Sequence, residues 1–301
     1  MDLQQRIPHG QVSLKFRASL RLKTLIAAAH ARGDEKAARR YALALGCQSV
    51  YVEKNGIWMP SLRCRSRACL VCSHIDSAIR TNRYTPALLQ LTDPQFVTLT
   101  SPNVRAEHIG DELDIYIKVL HYCRVTMKRK GLPMVGVRNI EVTFSPSADG
   151  KAFNVHAHLI VEGKRAAELL RQCWIGRLPR VNAAAQTISP IDQGAVGKVF
   201  SYGNKPGSSY GSPGHDIYNA IYRRKLFSAY GIKPVEQKKK ADKAANASRD
   251  YIIRAIYDHD QHDYVNSNGL PITGYDPLTD RRTPNEVKAK LRHNGGSLIH
   301  T

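Results

Sequence analysis

The sequence lacks the features that would place the protein in a membrane or outside the cell. No run among its 301 residues approaches the roughly eighteen consecutive apolar residues that cross a bilayer. The opening residues, Met1 to Arg6, lack the apolar stretch of a secretory signal, so we expect a cytoplasmic chain with no membrane partner. A reducing compartment favours metal ligands or buried thiols over disulfides for its six cysteines.

Acidic residues are also scarce. The chain has 25 Asp plus Glu against 45 Lys plus Arg, which gives a formal net charge of +20. Such an excess favours a polyanionic partner, because cations that neutralise phosphates release counterions on binding. A solubilising surface or a ribosome-associated protein remains the alternative interpretation of charge alone.

The pattern along the chain divides it into four segments. Residues 1–46 predict two basic helices, at 14–32 and 35–45, and residues 47–85 form a cysteine-rich module without regular periodicity. Residues 90–231 show orderly elements that predict one domain. We expect residues 232–301 to be a basic helical extension that ends in a polar, disordered tail.

The third segment predicts an α+β fold. Strands are expected at 95–100, 135–145, 153–161 and, more weakly, 181–188, with helices at 111–130 and 164–174. This β-α-β-β-α-β order is that of a ferredoxin-like split βαβ unit, an antiparallel sheet with helices on one face. Further helices are predicted at 193–202 and 216–230, on either side of a Gly/Ser/Pro-rich loop at 203–214.

The hairpin formed by the second and third strands has an apolar face and a face with candidate metal-binding side chains. Successive strand residues point to opposite faces, so six apolar residues share the core side: Ile140, Val142, Phe144, Val155, Leu159 and Val161. The other side carries Glu141, Thr143, His156 and His158. A turn centred near Asp149-Gly150 would place Glu141 opposite His158.

Imidazole and carboxylate together suit a divalent ion such as Mn²⁺ or Mg²⁺ with positions open for substrate oxygens, which indicates catalysis. The alternative is a pair of histidines and a glutamate on a solvated sheet face.

A tyrosine after the sheet is the candidate nucleophile. Tyr202 could attack a phosphodiester and keep the energy of the cleaved bond in a phosphotyrosine link, with Lys205 steadying the developing charge. Tyr218 and Tyr222 are the rivals, four residues apart on a predicted helix face with Lys225 one turn beyond. Their alternative interpretation is an amphipathic helix that packs through its tyrosines.

The cysteine-rich module predicts structural zinc. Cys64, Cys69 and Cys72 include a two-residue knuckle, and Cys47 upstream completes four thiolates. His74 could replace Cys47 as the fourth ligand, and buried reduced thiols are the alternative. Two other cysteines fall inside predicted helices and are interpreted as core residues: Cys123 and Cys173.

Three motifs in this order resemble a known family. They are Phe-Val-Thr-Leu-Thr-Ser-Pro-Asn at 96–103, His-Ala-His-Leu at 156–159 and Tyr-Gly-Asn-Lys at 202–205. With the cysteine cluster and the basic stretch at 220–231, they resemble the rolling-circle replication initiators of small bacterial plasmids, which belong to the HUH endonuclease superfamily. The resemblance covers most of residues 47–231.

The resemblance implies that His156 and His158 bind a divalent metal with Glu141 as third ligand. Tyr202 would cut one strand at the plasmid's double-strand origin and stay on the 5′ phosphate, while the free 3′ hydroxyl primes synthesis. Many relatives with this cysteine cluster have a glutamate four residues before the tyrosine, where this chain has Lys198. A second tyrosine could then serve in termination.

The resemblance also implies partners. Plasmid origin DNA is the expected substrate, and a host helicase and polymerase are expected because the chain has no Gly-x4-Gly-Lys-Ser/Thr loop of its own. A homodimer is left open. A transposase or relaxase of the same superfamily is a close alternative, and a non-catalytic, zinc-containing DNA-binding regulator is an alternative from another class.

Overall fold

The computed structural model describes residues 7–55, 57–61, 63–191, 196, 199–200, 210–235 and 252–293. The chain divides into two compact units, one made of residues 1–73 and 239–301 and the other of residues 74–238. In chain order the helices and strands are α1 (His9–Ala31), α2 (Glu35–Leu45), β1 (Val50–Lys54), β2 (Ile57–Pro60), α3 (Leu70–Leu88), β3 (Pro94–Thr100), α4 (Ile109–Arg129), β4 (Gly136–Phe144), β5 (Phe153–Glu162), α5 (Lys164–Arg177), β6 (Thr187–Pro190), α6 (Gly211–Ala220), β7 (Phe227–Tyr230), β8 (Ile252–Asp258), β9 (Asp263–Val265) and α7 (Asn285–His293).

The first unit contains the two predicted N-terminal helices and a four-stranded antiparallel sheet in the order β2-β1-β8-β9. The Asp34 side chain accepts a hydrogen bond from the Ala37 amide and so caps the start of α2. Phe16 of α1 packs in a core with aromatic residues of the sheet. Among them, the rings of Tyr51 and Tyr264 meet edge to face at 5.0 Å.

The second unit is built on a five-stranded sheet in the order β6-β3-β5-β4-β7, with every neighbouring pair antiparallel. The six elements predicted between residues 95 and 188 are all present, with shifted ends, which confirms a mixed α+β fold with an antiparallel sheet. The last predicted strand is shortened to Thr187–Pro190. Asn182 accepts a hydrogen bond from the Ala184 amide and forms a 3-10 turn where that strand was expected to begin.

One face of this sheet packs against α4 and α5, as the apolar alternation predicts. Trp174 and Tyr116 are fully buried there, with ring centroids 4.5 Å apart, and the Tyr116 hydroxyl donates to the Leu99 carbonyl at 2.6 Å. Gly136 opens β4 at φ +139°, where a Cβ would lie 1.9 Å from the Ile160 carbonyl oxygen, so only glycine fits. All six residues predicted for the core side contribute to this core.

Two sequence predictions differ from the structure because the strands involved pair with distant partners. The helix expected at 216–230 is instead α6, which starts at Gly211 and ends at Ala220, followed by β7 on the edge strand position beside β4. The extension at 232–301 was expected to be helical and disordered. Within residues 252–293 it supplies β8, β9 and α7 to the first unit.

The cysteine-rich module also has more regular structure than expected. Strands β1 and β2 pair as a hairpin after Cys47, and α3 begins two residues before Cys72. Asn55 adopts φ +51° at the turn of this hairpin, the backbone that Asn-Gly dipeptides favour. The helix expected at 193–202 lies outside the described residues except for residues 196, 199 and 200.

Candidate metal centres

The hairpin β4–β5 brings the predicted metal ligands together. Glu141 faces His156 directly, and the neighbour of His158 across the strands is Asn139. The sequence placed Glu141 opposite His158, which is wrong by two residues. The hairpin is centred between Ala148 and Asp149, one residue earlier than the sequence predicted. Moving the centre of a hairpin by one residue changes the partner of every strand residue by two positions.

The three side chains nevertheless converge on one oxygen. Glu141 Oε2 lies 3.3 Å from His156 Nε2 and 3.6 Å from His158 Nε2. The side chains are only 6%, 12% and 10% exposed, respectively. One ligand atom from each residue lies within 4.8 Å of the others, a spacing that a single divalent ion could bridge.

The outer nitrogen of each histidine is held by a polar residue of the sheet. His156 Nδ1 lies 3.1 Å from Asn154 Oδ1, and the Thr100 hydroxyl donates to the same Asn154 oxygen at 3.0 Å. His158 Nδ1 lies 3.4 Å from the Thr98 hydroxyl. Both rings therefore direct Nε2 toward Glu141, the arrangement that outer-shell partners impose on metal-binding histidines.

Further residues fix the strand β3 beside the histidines. The buried Gln186 side chain accepts a hydrogen bond from the Thr100 amide at 2.8 Å and donates to the Thr100 carbonyl at 3.1 Å. The Phe96 ring stacks on His158 at 5.5 Å with 16° between the planes. Sequence reasoning missed these supports, although Asn154 shares the face of His156 by simple alternation.

An apolar cluster covers the same sheet face next to the metal ligands. Val137 and Ile160 belong to this cluster. They lie an even number of positions from Glu141 and His158 on their strands and therefore on the same sheet face. Helix α3 contributes Leu88, and residues Val196, Val199 and Phe200 pack there as well. Phe96 joins this cluster to His158.

The predicted nucleophile Tyr202 and its neighbour Lys205 lie outside the described residues, as does Lys198. Phe200 is the closest described residue before Tyr202, and its carbonyl oxygen accepts a hydrogen bond from the Ser77 hydroxyl at 2.6 Å. At Phe200 the chain therefore lies against the sheet face that carries Glu141, His156 and His158.

The rival tyrosines do not share the predicted helix face. Tyr218 packs against the core cluster on the sheet face opposite to the histidines. Tyr222 lies beyond the end of α6, 45% exposed, with the Arg223 guanidinium 5.2 Å from its ring. Arg224 forms a two-nitrogen ion pair with Asp114, with both contacts at 2.7 Å.

Four cysteines of the first unit form the second candidate centre. The sulfur atoms of Cys47, Cys64, Cys69 and Cys72 all lie within 4.8 Å of one another. Backbone amides point at them, including that of Arg65, which lies 3.2 Å from Cys72 Sγ with Arg65 at φ +57°. Four converging thiols match a closed tetrahedral metal site.

The group of sulfur atoms includes Cys47, whereas His74 is exposed and is not part of it. A hydrogen bond from the Cys64 thiol, followed by those from Cys69 and Cys72, lowers the pKa of Cys47 far below its ordinary value. The deprotonated sulfur is the form that binds metal. Cys123 is fully buried and Cys173 packs partly buried against the same core, which confirms their core interpretation.

A buried lysine supports the cysteine cluster. Lys15 Nζ donates to the carbonyl oxygens of Leu45 and Cys47 at 2.6 and 2.8 Å and to the Ser49 hydroxyl at 2.7 Å. Burial lowers the pKa of Lys15 to about 8, although nearby cysteine charges, Cys47 first among them, favour its protonated form. Lys15 therefore binds the backbone or side chain of residues on both sides of Cys47, a candidate metal ligand.

Comparison of this chain with protein-family models, curated proteins and solved structures finds no match. The two candidate centres are therefore interpreted through their own geometry. What the structure establishes is a group of four cysteines and a Glu-His-His group, each of which could hold a metal ion.

Proposed function

We propose that the protein is a metal-dependent, site-specific DNA nicking and joining enzyme of the HUH type that initiates rolling-circle replication of a plasmid. The observation that carries this proposal is the convergence of Glu141, His156 and His158 on one sheet face. The net charge of +20 fits a DNA substrate.

The sheet topology supports the proposal. The order β6-β3-β5-β4, read with α4 and α5, supports the expected ferredoxin-like split βαβ unit, with β7 added at one edge. The central strand β5 carries both histidines, so their backbone is fixed on both sides by neighbouring strands. We infer that this part of the chain is the catalytic core of the superfamily that its motifs resemble.

The donor set fits Mn²⁺ or Mg²⁺. A bound divalent ion would supply positive charge to the non-bridging oxygens of the scissile phosphate. Asn154 and Thr98 keep the histidines oriented through their Nδ1 atoms, and the Glu141 carboxylate neutralises part of the ion's charge. Four thiolates in the other unit fit a structural Zn²⁺.

In the proposed reaction the Tyr202 oxygen attacks the phosphorus atom, and the bond from phosphorus to the 3′ oxygen breaks. The tyrosine proton leaves, the 3′ oxygen departs as a hydroxyl after taking up a proton, and the 5′ phosphate stays on Tyr202. Lys205 would steady the negative charge that develops. Because the phosphodiester energy is retained, the 3′ hydroxyl can later reverse the attack and rejoin the strand.

Two observations favour Tyr202 over its rivals. Phe200, two positions before Tyr202 in the sequence, packs on the sheet face that carries the histidines. Tyr218 packs on the opposite face.

A host helicase and polymerase would act on the nicked plasmid origin. A transposase or relaxase would use the same site and stays the nearest alternative.

The test is nicking of supercoiled plasmid that carries the protein's own origin, with Mn²⁺ or Mg²⁺, followed by mass spectrometry of the DNA-linked peptide. We expect a phosphotyrosine at Tyr202 that disappears with chelator and in Tyr202→Phe. Tyr218→Phe is the matched control and should nick normally. Tight DNA binding without an adduct under any metal would contradict the proposal and favour a zinc-containing DNA-binding regulator.

A further inference from the structure

A cleft of about 420 Å³ lies in the second unit, beside the end of β3. That volume is within the range of sites that enclose one small molecule. Its apolar lining includes Val104 and Ile115, and its cations are Arg105, Lys151 and Arg180. The lining therefore offers a flat ligand both an apolar surface and hydrogen-bond donors.

Arg180 is the preorganised donor of this cleft. Its Nη2 donates to Glu112 Oε2 at 2.6 Å, and the Glu112 side chain is 3% exposed, whereas Arg180 remains 46% exposed. A guanidinium has five N–H donors in a rigid plane, so one bond to Glu112 fixes the group and leaves donors for a ligand.

The cleft is connected to the candidate metal centre by two hydrogen bonds. Asn103, which lines the cleft, accepts from Asn154 Nδ2 at 3.0 Å, and Asn154 Oδ1 lies 3.1 Å from His156 Nδ1. Asn103 at the cleft therefore lies two hydrogen bonds from His156, so a DNA strand bound at the metal ligands can extend toward the cleft.

The charges of the cleft favour a base over a bare phosphate. Asp111 and Glu112 also line the cleft, Glu112 pairs with Arg180, and Lys151 lies 3.7 Å from Asp149, so carboxylates offset part of the charge of its three exposed cations. A guanidinium held by Glu112 in a cleft that also has apolar lining residues instead matches guanine, whose O6 and N7 accept both hydrogen bonds of an arginine fork.

The geometry points to a base-reading subsite: this cleft takes one unpaired guanine of the DNA strand bound at the metal centre, and Arg180 determines that specificity. The inference rests on the proposed function, because it takes single-stranded DNA as the substrate. Val104 and Ile115 would contact the flat faces of the base.

The test is fluorescence anisotropy of the full chain with labelled dT10 and with dT10 carrying one central dG, dA or dC. We expect the dG strand to bind about tenfold more tightly than dT10, as one bidentate contact provides. Arg180→Lys keeps the charge but loses the fork, so the ratio of dG-strand affinity to dT10 affinity should fall below twofold. Arg171→Lys is the control, since Arg171 pairs with Glu168 outside the cleft at 2.9 Å.

Glu112→Gln is the second variant, because it keeps the side-chain volume while weakening the hold on Arg180. It should reduce the guanine preference at least threefold. Equal affinity for all four strands, a preference for another base, or a guanine preference that survives Arg180→Lys would overturn the inference. A covalent adduct at Tyr202 without any base preference would contradict the subsite and leave the proposed function intact. A guanine preference without nicking would contradict the proposed function and leave the subsite intact.

Discussion

His156 Nε2 lies 3.3 Å from Glu141 Oε2, across the directly paired positions of β4 and β5. His158 approaches the same oxygen at 3.6 Å from the next position on that face of β5. Because these side chains are at most 12% exposed, the carboxylate and the two imidazoles form a largely water-excluded group. A divalent cation held here would have the carboxylate and both imidazole Nε2 atoms as ligands.

Replacing Glu141 tests this geometry. We expect Glu141→Gln to weaken Mn²⁺ binding by at least about tenfold, since it removes the anionic ligand, and changes around metal ligands alone cost 10–100-fold. Isothermal titration with Mn²⁺ measures the effect. Glu162→Gln is the matched control, because Glu162 ends the neighbouring strand β5 and accepts hydrogen bonds from Thr92 and Asp93 instead. Equal loss in both variants would contradict the assignment.

Asn154 should matter to the same ion without touching it. Asn154→Ala removes the partner of His156 Nδ1, so we expect Mn²⁺ affinity to fall about 10–100-fold. Ser147→Ala, in the loop of the same hairpin, should leave affinity unchanged. A metal affinity that does not respond to Asn154→Ala would show that the ring of His156 is oriented by other contacts.

The sequence was sufficient to find the ligands but not their pairing. Period-two alternation places Glu141, His156 and His158 on one face whatever the turn, whereas the register depends on the turn centre, which the loop residues leave uncertain by one. The sulfur ligands were predicted by spacing alone, and the structure adds that Cys47 rather than His74 joins them.

Elements that depend on remote partners were not predictable from local pattern. Arg254 on β8 pairs with Glu53 on β1, 201 positions away, with its Nε 2.7 Å from Glu53 Oε2. Short edge strands such as β7 likewise gain their hydrogen bonds from a neighbour, here β4, and carry no periodicity of their own. The supports Gln186 and Thr98 act through tertiary contacts, which a single sequence does not display.

The cysteine group should hold one metal ion per chain. We expect Cys72→Ser to lose one equivalent of zinc, measured by mass spectrometry of the purified protein, and to lower the melting temperature because a structural metal stabilises the fold around it. Cys173→Ser, a partly buried thiol outside the cluster, should keep its zinc. Full zinc content in Cys72→Ser would contradict the four-sulfur site.

Lys15 should affect metal binding more than folding. At pH 7 burial opposes the charged form of Lys15, as its lowered pKa of about 8 against 10.5 shows, while its three hydrogen bonds favour the folded state, so the two contributions oppose each other. We therefore expect Lys15→Met to leave the unfolding free energy of the metal-free protein within about 1 kcal/mol, because the two contributions cancel.

The zinc-loaded protein differs, because four thiolates around Zn²⁺ carry a net charge of −2 that Lys15 faces. Zinc affinity in Lys15→Met should fall about tenfold, measured by competition with a chromogenic chelator. Lys23→Met on the same helix is the control. Unchanged zinc affinity with a large loss of metal-free stability would show that Lys15 serves folding alone.

His259 should make the first unit sensitive to mild acid. Burial lowers the pKa of His259 to about 4, and the charges of Lys15 and Lys23 add to the effect, while Asp258 and Asp260 oppose it. Since the folded pKa lies below the ordinary 6.5, the unfolded chain binds the proton first, and stability falls as the pH decreases from 6.5 toward 4. His259→Gln should flatten that decline, measured as urea midpoints at pH 7.0 and 5.5 on protein of equal zinc content. Identical slopes in wild type and variant would place the acid sensitivity elsewhere, and the cysteine ligands would then be the groups to titrate.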